Sequence, residues 1–231
     1  MRANLPFLLI AVALLWFPRQ WMRQGLAFWT RRKRRSAGLV RREQEPWNTS
    51  EPGDPAVRFG AEFRKLRNYM DALRAAAGCT AIMGGFGLDA SLTAAPGATA
   101  LVNMEVQAAK LAILLIGLLV QTVRYERNRL LFFAPIFFLF GLSFGLCGAK
   151  GAAFGFAMVW AVNPSLKNPQ AFLSVYALLV GIFGLFFLGF GNKLPLAALG
   201  FCFLPVLLSL LAQRPLVLFA RRGTRSSRAS S

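Results

Sequence analysis

The chain has 231 residues, 56% of them hydrophobic, and its 27 Lys and Arg against 9 Asp and Glu give a formal net charge of +18. The apolar residues stand in long uninterrupted blocks, a pattern that argues against a soluble protein. The chain contains no histidine, so it lacks the usual axial ligand of haem, a frequent metal ligand and the common general base near neutral pH.

The first apolar segment covers residues 3–18. A cleaved signal peptide carries its basic residues before the apolar run and ends in small residues at the cleavage site. Here most of the nearby charge follows the run, and Trp16, Phe17 and Pro18 make a poor cleavage site. The sequence therefore predicts an uncleaved N-terminal membrane anchor, short for a full span.

Residues 19–74 form the one long polar region, and seven basic residues are concentrated between positions 31 and 42. These are Arg31, Arg32, Lys33, Arg34, Arg35, Arg41 and Arg42. Beside a membrane anchor, such a run is typical of contact with anionic lipid head groups. An acidic protein partner is the second interpretation. Nucleic acid is the least favoured partner, because no nucleic-acid-binding fold accompanies the run.

A linker rich in Pro, Glu, Ser and Gly (residues 43–55) precedes a periodic segment. In this segment, after the linker, apolar residues recur at spacings of three and four: Phe59, Phe63, Leu66, Met70 and Leu73. Glu62, Arg64, Lys65, Arg67 and Asp71 occupy the other face. This pattern predicts an amphipathic helix, lying in the membrane interface or against a partner helix.

Residues 75–213 are predicted to form a membrane helical bundle, followed by a basic tail at residues 214–231. Three blocks contain no charged residue and reach the length of about 20 residues that a span needs: 130–149, 170–191 and 194–213. Weaker or shorter apolar segments occupy 75–88, 103–123 and 151–166. With the anchor, the predicted fold class is an all-α, multi-pass bundle of about seven membrane segments, within a range of five to seven.

Lys and Arg collect in the cytoplasmic loops of membrane proteins. With seven crossings and the N-terminus outside, 23 basic residues fall on the cytoplasmic side, three fall outside, and Lys110 lies within the membrane. This division predicts an integral protein of the plasma membrane or of an inner membrane, with its N-terminus outside and its C-terminus in the cytoplasm.

Ionisable side chains near the apolar segments are the candidate sites for chemistry, because they are costly inside a bilayer. Glu105 and Lys110 are five residues apart and do not share a helix face, so each needs another partner. Asp89 is a candidate partner for Lys110. Alternatively, Lys110 extends to the outer head groups and has no further role. No metal site or cofactor is predicted, and the three cysteines are expected to be buried thiols.

The sequence predicts a non-enzymatic integral membrane protein, a scaffold or accessory subunit of a larger membrane assembly. Its expected partners are the lipid bilayer and either other membrane subunits or copies of itself. The alternative function is a small-solute transporter or channel with a polar site around Glu105 and Lys110. A membrane enzyme ranks third, since only Glu105 and Asp89 offer an acid or a base at a membrane face.

Overall fold

A computed structural model describes residues 2–3, 5–17, 57, 59–84, 88–89, 98–126, 129–214 and 216–217, and most of these residues are helical. The helices are α1 (Leu5–Trp16), α2 (Phe59–Phe63), α3 (Leu66–Met83), α4 (Ala98–Thr122), α5 (Ile136–Val162), α6 (Pro169–Leu188) and α7 (Leu194–Leu211). Within these residues, four helical stretches are long and apolar enough to cross a membrane: Met104–Thr122, Ile136–Ser165, Pro169–Leu188 and Leu194–Leu211.

Short strands at the two ends of the bundle are an addition to the predicted all-α fold. At one end, β1 (Arg2–Ala3) pairs antiparallel with β2 (Leu88–Asp89). At the other end, β3 (Val123–Glu126) pairs antiparallel with β4 (Arg129–Phe133), and β5 (Leu216–Val217) runs parallel to β4. We call these the two-strand end and the three-strand end. Residues 130–133, predicted as the start of a membrane helix, belong to β4, and the helix begins after Pro135.

Helix α5 reverses direction at Gly148, so its two halves lie side by side. The rings of Phe140 and Phe156 stack with their centroids 3.9 Å apart, although an unbroken helix would separate these residues by about 24 Å. Gly148 has φ 71° and ψ 166°, a backbone conformation open mainly to glycine. We call residues 136–147 the first arm and residues 149–162 the second arm. The sequence had predicted separate segments on either side of this point.

Neighbouring segments show that the chain passes back and forth between the two ends. Gly184 of α6 lies beside Gly151, near the Gly148 turn, and Phe172 packs on Trp160 at 4.9 Å, so α6 is antiparallel to the second arm. Further pairs of contacts give the directions of the other helices. Helix α1 is antiparallel to α3, because Arg74 contacts Phe17 and Gly78 contacts Leu15. Helix α4 is antiparallel to α3, with contacts from Lys110 to Met83 and from Gln121 to Arg74.

The first arm runs parallel to α3, with contacts from Ala72 to Gly141 and from Cys79 to Gly145. Helix α7 is antiparallel to α6, with contacts from Gly184 to Pro195 and from Gln170 to Ser209. The described segments therefore alternate in direction along the chain, in the order α1, α3, α4, first arm, second arm, α6 and α7.

Two glycines allow α3 to pack closely on the first arm. A Cβ at Gly141 would lie 2.2 Å from the carbonyl oxygen of Ala72, and one at Gly145 would lie 2.4 Å from Cys79 Sγ. Around this contact, the first arm is almost wholly buried, with Phe138, Leu139 and Leu142 in the core. The GxxxG spacing at 141 and 145 thus brings two backbones together, as such spacing does in membrane helices.

The amphipathic helix predicted over Phe59–Leu73 differs from the observed structure. The helical run is interrupted between α2 and α3, and α3 continues to Met83, across the domain boundary placed after Arg74. Leu66, Met70 and Leu73 face outward, whereas Asp71 is buried. Within α3, the polar side chains Asn68, Asp71 and Arg74 therefore point into the bundle and the apolar ones point out of it, the reverse of a helix that rests on a soluble core.

Candidate functional site: a buried polar cluster at the end of α1

Helix α1 ends inside the bundle, beside α3 and α4. Its 12 residues extend about 18 Å, well short of the roughly 30 Å of a bilayer core. The last carbonyl groups of a helix have no partner within the helix. In apolar surroundings such groups must find partners elsewhere in the protein, because an unpaired one costs several kcal/mol.

Arg74 of α3 supplies several of those partners. Its Nη1 donates to the carbonyl oxygens of Phe17 and, at 3.5 Å, of Leu14. A cation at this position also interacts favourably with the negative end of the α1 dipole. The guanidinium lies over the ring of Phe138, 5.3 Å from its centroid. Arg74 is 8% exposed, so its charge contributes to these contacts in a largely water-free environment.

Gln121 of α4 completes the capping of α1. Its Nε2 donates to the carbonyl oxygens of Phe17, at 3.0 Å, and Leu15, at 3.3 Å, while its Oε1 accepts from Arg74 Nη2 at 3.0 Å. Trp16 Nε1 donates to the carbonyl oxygen of Ile113 at 3.0 Å, which adds a second link between α1 and α4.

Asp71 neutralises the arginine. Its Oδ1 accepts from Arg74 Nε at 3.0 Å, one helical turn away on α3, and also lies 3.0 Å from Arg74 Nη2 in an ion pair. A buried pair of this kind is costly to assemble unless further hydrogen bonds satisfy both partners. Here the remaining donors of Arg74 bind Gln121 and the α1 carbonyls, so the cluster joins α1, α3 and α4.

The predicted residues Glu105 and Lys110 lie in different environments. Glu105 is exposed, whereas Lys110 is 8% exposed and its Nζ donates to the carbonyl oxygen of Met83 at 3.4 Å. Met83 is the last residue of α3, so Lys110 bonds a helix C-terminus. Because α4 is antiparallel to α3, its residues 98–109, before Lys110, extend beyond the C-terminal end of α3. Asp89 lies in β2 with its backbone opposite Arg2, and its side chain is outside the described atoms.

The predicted contact residues of the basic run, from Arg31 to Arg42, lie outside the described residues. The last described residue before this run is Phe17, and the first one after it is Val57. Phe17 contacts Arg74, and Val57 contacts Asn163, so both attachment points are near the three-strand end.

A smaller polar contact lies between the first arm, α6 and α7. Ser143 Oγ donates to the carbonyl oxygen of Leu139 at 2.9 Å, lies 3.2 Å from Tyr176 Oη and lies 3.8 Å from Cys202 Sγ. Cys79, Cys147 and Cys202 are free and buried, as expected for thiols that act as small hydrophobic side chains. Within the described residues, no group of three or more Cys, Asp and Glu side chains is arranged to hold a metal ion.

The sequence analysis did not single out Arg74 or Gln121, and it placed Asp71 on a surface face. One signal was available. Asp71 and Arg74 are three residues apart and directly precede an apolar run. An acid and a base at that spacing on a helix entering the membrane can neutralise each other.

The fold and this cluster define a helical bundle of the membrane-protein type, with large apolar side chains on its outer faces and the Asp71–Arg74 ion pair inside. No protein-family model matches the chain, and neither a curated protein nor a solved structure is significantly similar to it.

Proposed function

We propose that this chain is an integral membrane protein that crosses the bilayer seven times. The supporting observation is the alternation of α1, α3, α4, the two arms of α5, α6 and α7 between the two ends of the bundle. In this arrangement the Gly148 turn divides the stretch Ile136–Ser165 into two passes.

The distribution of charge supports a cytoplasmic location for the three-strand end. Arg2, Lys150 and Lys193 are at or beside the two-strand end, whereas 23 basic residues belong to segments that start or finish at the three-strand end. Basic residues are enriched on the cytoplasmic side of membrane proteins. The proposed orientation therefore has the N-terminus outside and the C-terminus in the cytoplasm of a plasma or inner membrane.

Three of the passes are short, and the polar cluster provides a physical basis for one of them. Helix α1 and the first arm contain 12 residues each, and the second arm contains 14. A helix that ends within the hydrocarbon layer is tolerated where protein groups bind its free carbonyls. Arg74 and Gln121 do so for α1.

We infer a non-enzymatic role, as a scaffold or accessory subunit of a membrane assembly. The buried ionised pair of Asp71 and Arg74 is occupied with holding three helices together, and Lys110 holds a helix end. The basic run at Arg31–Arg42 is then the part available to anionic head groups or an acidic partner. A transporter with a polar site around Glu105 and Lys110 has less support, because Glu105 is exposed and Lys110 is bonded to a carbonyl.

Purification in mild detergent, with mass spectrometry of the co-purifying chains, tests this function. We expect the full chain to retain a membrane partner in a fixed ratio. Replacing the seven basic residues between positions 31 and 42 by Gln should release that partner, and replacing Lys150 and Lys193 by Gln should not. A protein that purifies alone in every case and conducts a solute in vesicles would contradict the scaffold role and favour the transporter.

A further inference from the structure

Helix α1 stops at half the height of α3. Phe17, which directly follows α1, contacts Arg74, the ninth residue of the 18-residue helix α3. About 12 Å of α3 therefore lies between this level and the start of α3 at the three-strand end. Helix α4 ends at the same level, because its Gln121 donates to the carbonyl oxygen of Phe17.

The same level passes through the middle of α6 and α7. Gly141 of the first arm lies beside the carbonyl oxygen of Ala72, in the turn of α3 that precedes the arginine of the polar cluster. Ser143, two residues further along that arm, has its Oγ 3.2 Å from Tyr176 Oη and 3.8 Å from Cys202 Sγ. Tyr176 is the eighth of 20 residues in α6, and Cys202 is the ninth of 18 in α7.

Helix α1 therefore fits a thinner hydrocarbon layer than α6 does. The 12 residues of α1 extend about 18 Å, and the 20 residues of α6 extend about 30 Å. Both helices direct large apolar side chains outward, since Leu9 and Ile10 of α1 and Leu178 and Ile182 of α6 are each more than half exposed. In the proposed seven-pass arrangement, on which this inference rests, both faces meet lipid.

The strands after α4 indicate where the hydrocarbon layer ends on the side of α1 and α4. Strand β3 follows α4 directly and is an edge strand of the described sheet, whose order is β3–β4–β5. An open sheet edge does not occur within the hydrocarbon region, because its backbone groups would have no partners there. In the sequence, arginines follow Phe17 and Thr122 after two positions, at Arg19 and Arg124. Charged residues are also costly in hydrocarbon, so the layer has to end close to these two helix ends.

We propose that the outer face of α1 and α4 thins the surrounding bilayer, with phospholipid head groups from the three-strand side drawn in to the level of Phe17 and Thr122. On this face the hydrocarbon layer is about 18 Å thick instead of about 30 Å. Acyl chains cover Leu9 and Ile10, and head groups and their water bond the edge of the sheet. A bilayer adapts to a short apolar segment in this way at modest cost. The polar cluster binds the α1 carbonyls from inside the bundle, and the thinned layer hydrates the outer side of the helix end.

Spin labels at two matched positions test the thickness. In a full chain whose three native cysteines are replaced by Ala, Phe17→Cys and Phe203→Cys each carry one nitroxide in dioleoylphosphatidylcholine vesicles. The two native side chains are of the same type, lie at about the same level and are 40% and 37% exposed. Collisions with oxygen, which concentrates in hydrocarbon, and with a water-soluble nickel chelate report the depth of each label. We expect the Phe203→Cys label at a depth of about 15 Å, half of an ordinary layer, and the Phe17→Cys label about 15 Å shallower, among the head groups.

Val120→Cys, at a 39% exposed position near the end of α4, is a second reporter that leaves Phe17 intact, and its label should also be shallow. A label at position 17 or 120 as deep as the one at position 203 overturns the thinning and leaves the membrane crossing intact. A label at position 17 or 120 that neither reagent reaches also overturns it, because another protein surface would then cover this face. Free access of the nickel chelate to the label at position 203 would instead contradict the proposed crossing, and this inference with it.

Discussion

Arg74 shows how one ionised residue is accommodated in an apolar bundle. A charged side chain within a membrane segment is expensive, and such residues normally pair with one another or with backbone carbonyls. Arg74 does both, through Asp71 on its own helix and the carbonyls at the end of α1. Because these partners lie on different elements, the arginine links the end of α1 to α3.

Removing one member of the pair should destabilise the protein far more than removing both. Arg74→Leu removes the cation beside the buried carboxylate of Asp71, and removing one partner of a buried ion pair typically costs about 3–5 kcal/mol. The double variant Arg74→Leu with Asp71→Leu also removes the buried negative charge and should recover part of the loss, although α1 still lacks the hydrogen bonds from Arg74. Thermal unfolding in detergent measures the stability of the single and the double variant. Arg64→Leu is the control, because Arg64 is exposed, and it should change the melting temperature little. A double variant no more stable than Arg74→Leu would show that the ion pair is not the important contact.

At the scale of the elements, the contact between α3 and the first arm depends on small residues. A methyl group at position 141 would meet the backbone of Ala72, which cannot move without shifting the helix. Gly141→Ala should therefore separate α3 from the first arm and destabilise the bundle by about 1–3 kcal/mol, the usual range for overpacking.

Gly200→Ala is the matched control for this change, because nothing lies within 4 Å of a Cβ at position 200 of α7. It should be neutral or slightly stabilising, since alanine favours helix more than glycine does. The melting temperatures of the two variants, each against the unaltered protein, provide the comparison. Equal effects of the two substitutions would mean that close packing at Gly141 is not required.

The sequence predicted α6 and α7, which lie in uniformly apolar segments, and it predicted a helix at α3 but assigned the polar face of that helix to the surface. Residues 170–191 and 194–213 are apolar throughout, and α6 and α7 are found there. In α3 the spacing of Leu66, Met70 and Leu73 predicted a helix, but assigning its polar face to the surface assumed water outside. Where the surroundings are apolar, the same spacing places Asp71 inside, so the Asp71–Arg74 cluster depends on packing that a sequence pattern does not describe.

For the whole molecule, the turn at Gly148 determines how the rest of the chain is oriented. If Ile136–Ser165 crossed the membrane once, Lys167 and Lys193 would exchange sides relative to the seven-pass arrangement. The contact between Phe140 and Phe156 supports the reversal. In the orientation that we propose from the Lys and Arg bias, the turn and Lys193 lie outside and Lys167 lies inside.

Single cysteines at exposed Lys150, Lys167 and Lys193, in a chain whose three native cysteines are replaced by Ala, test this arrangement. In intact cells we expect an impermeant thiol reagent to label Lys150→Cys and Lys193→Cys, and to label Lys167→Cys only after permeabilisation. An inverted protein would give the opposite pattern at all three positions. A single crossing would label Lys167→Cys in intact cells and leave Lys150→Cys unreactive under both conditions, since position 150 would then lie within the hydrocarbon layer. The response at position 150 therefore separates a wrong orientation from a wrong number of passes.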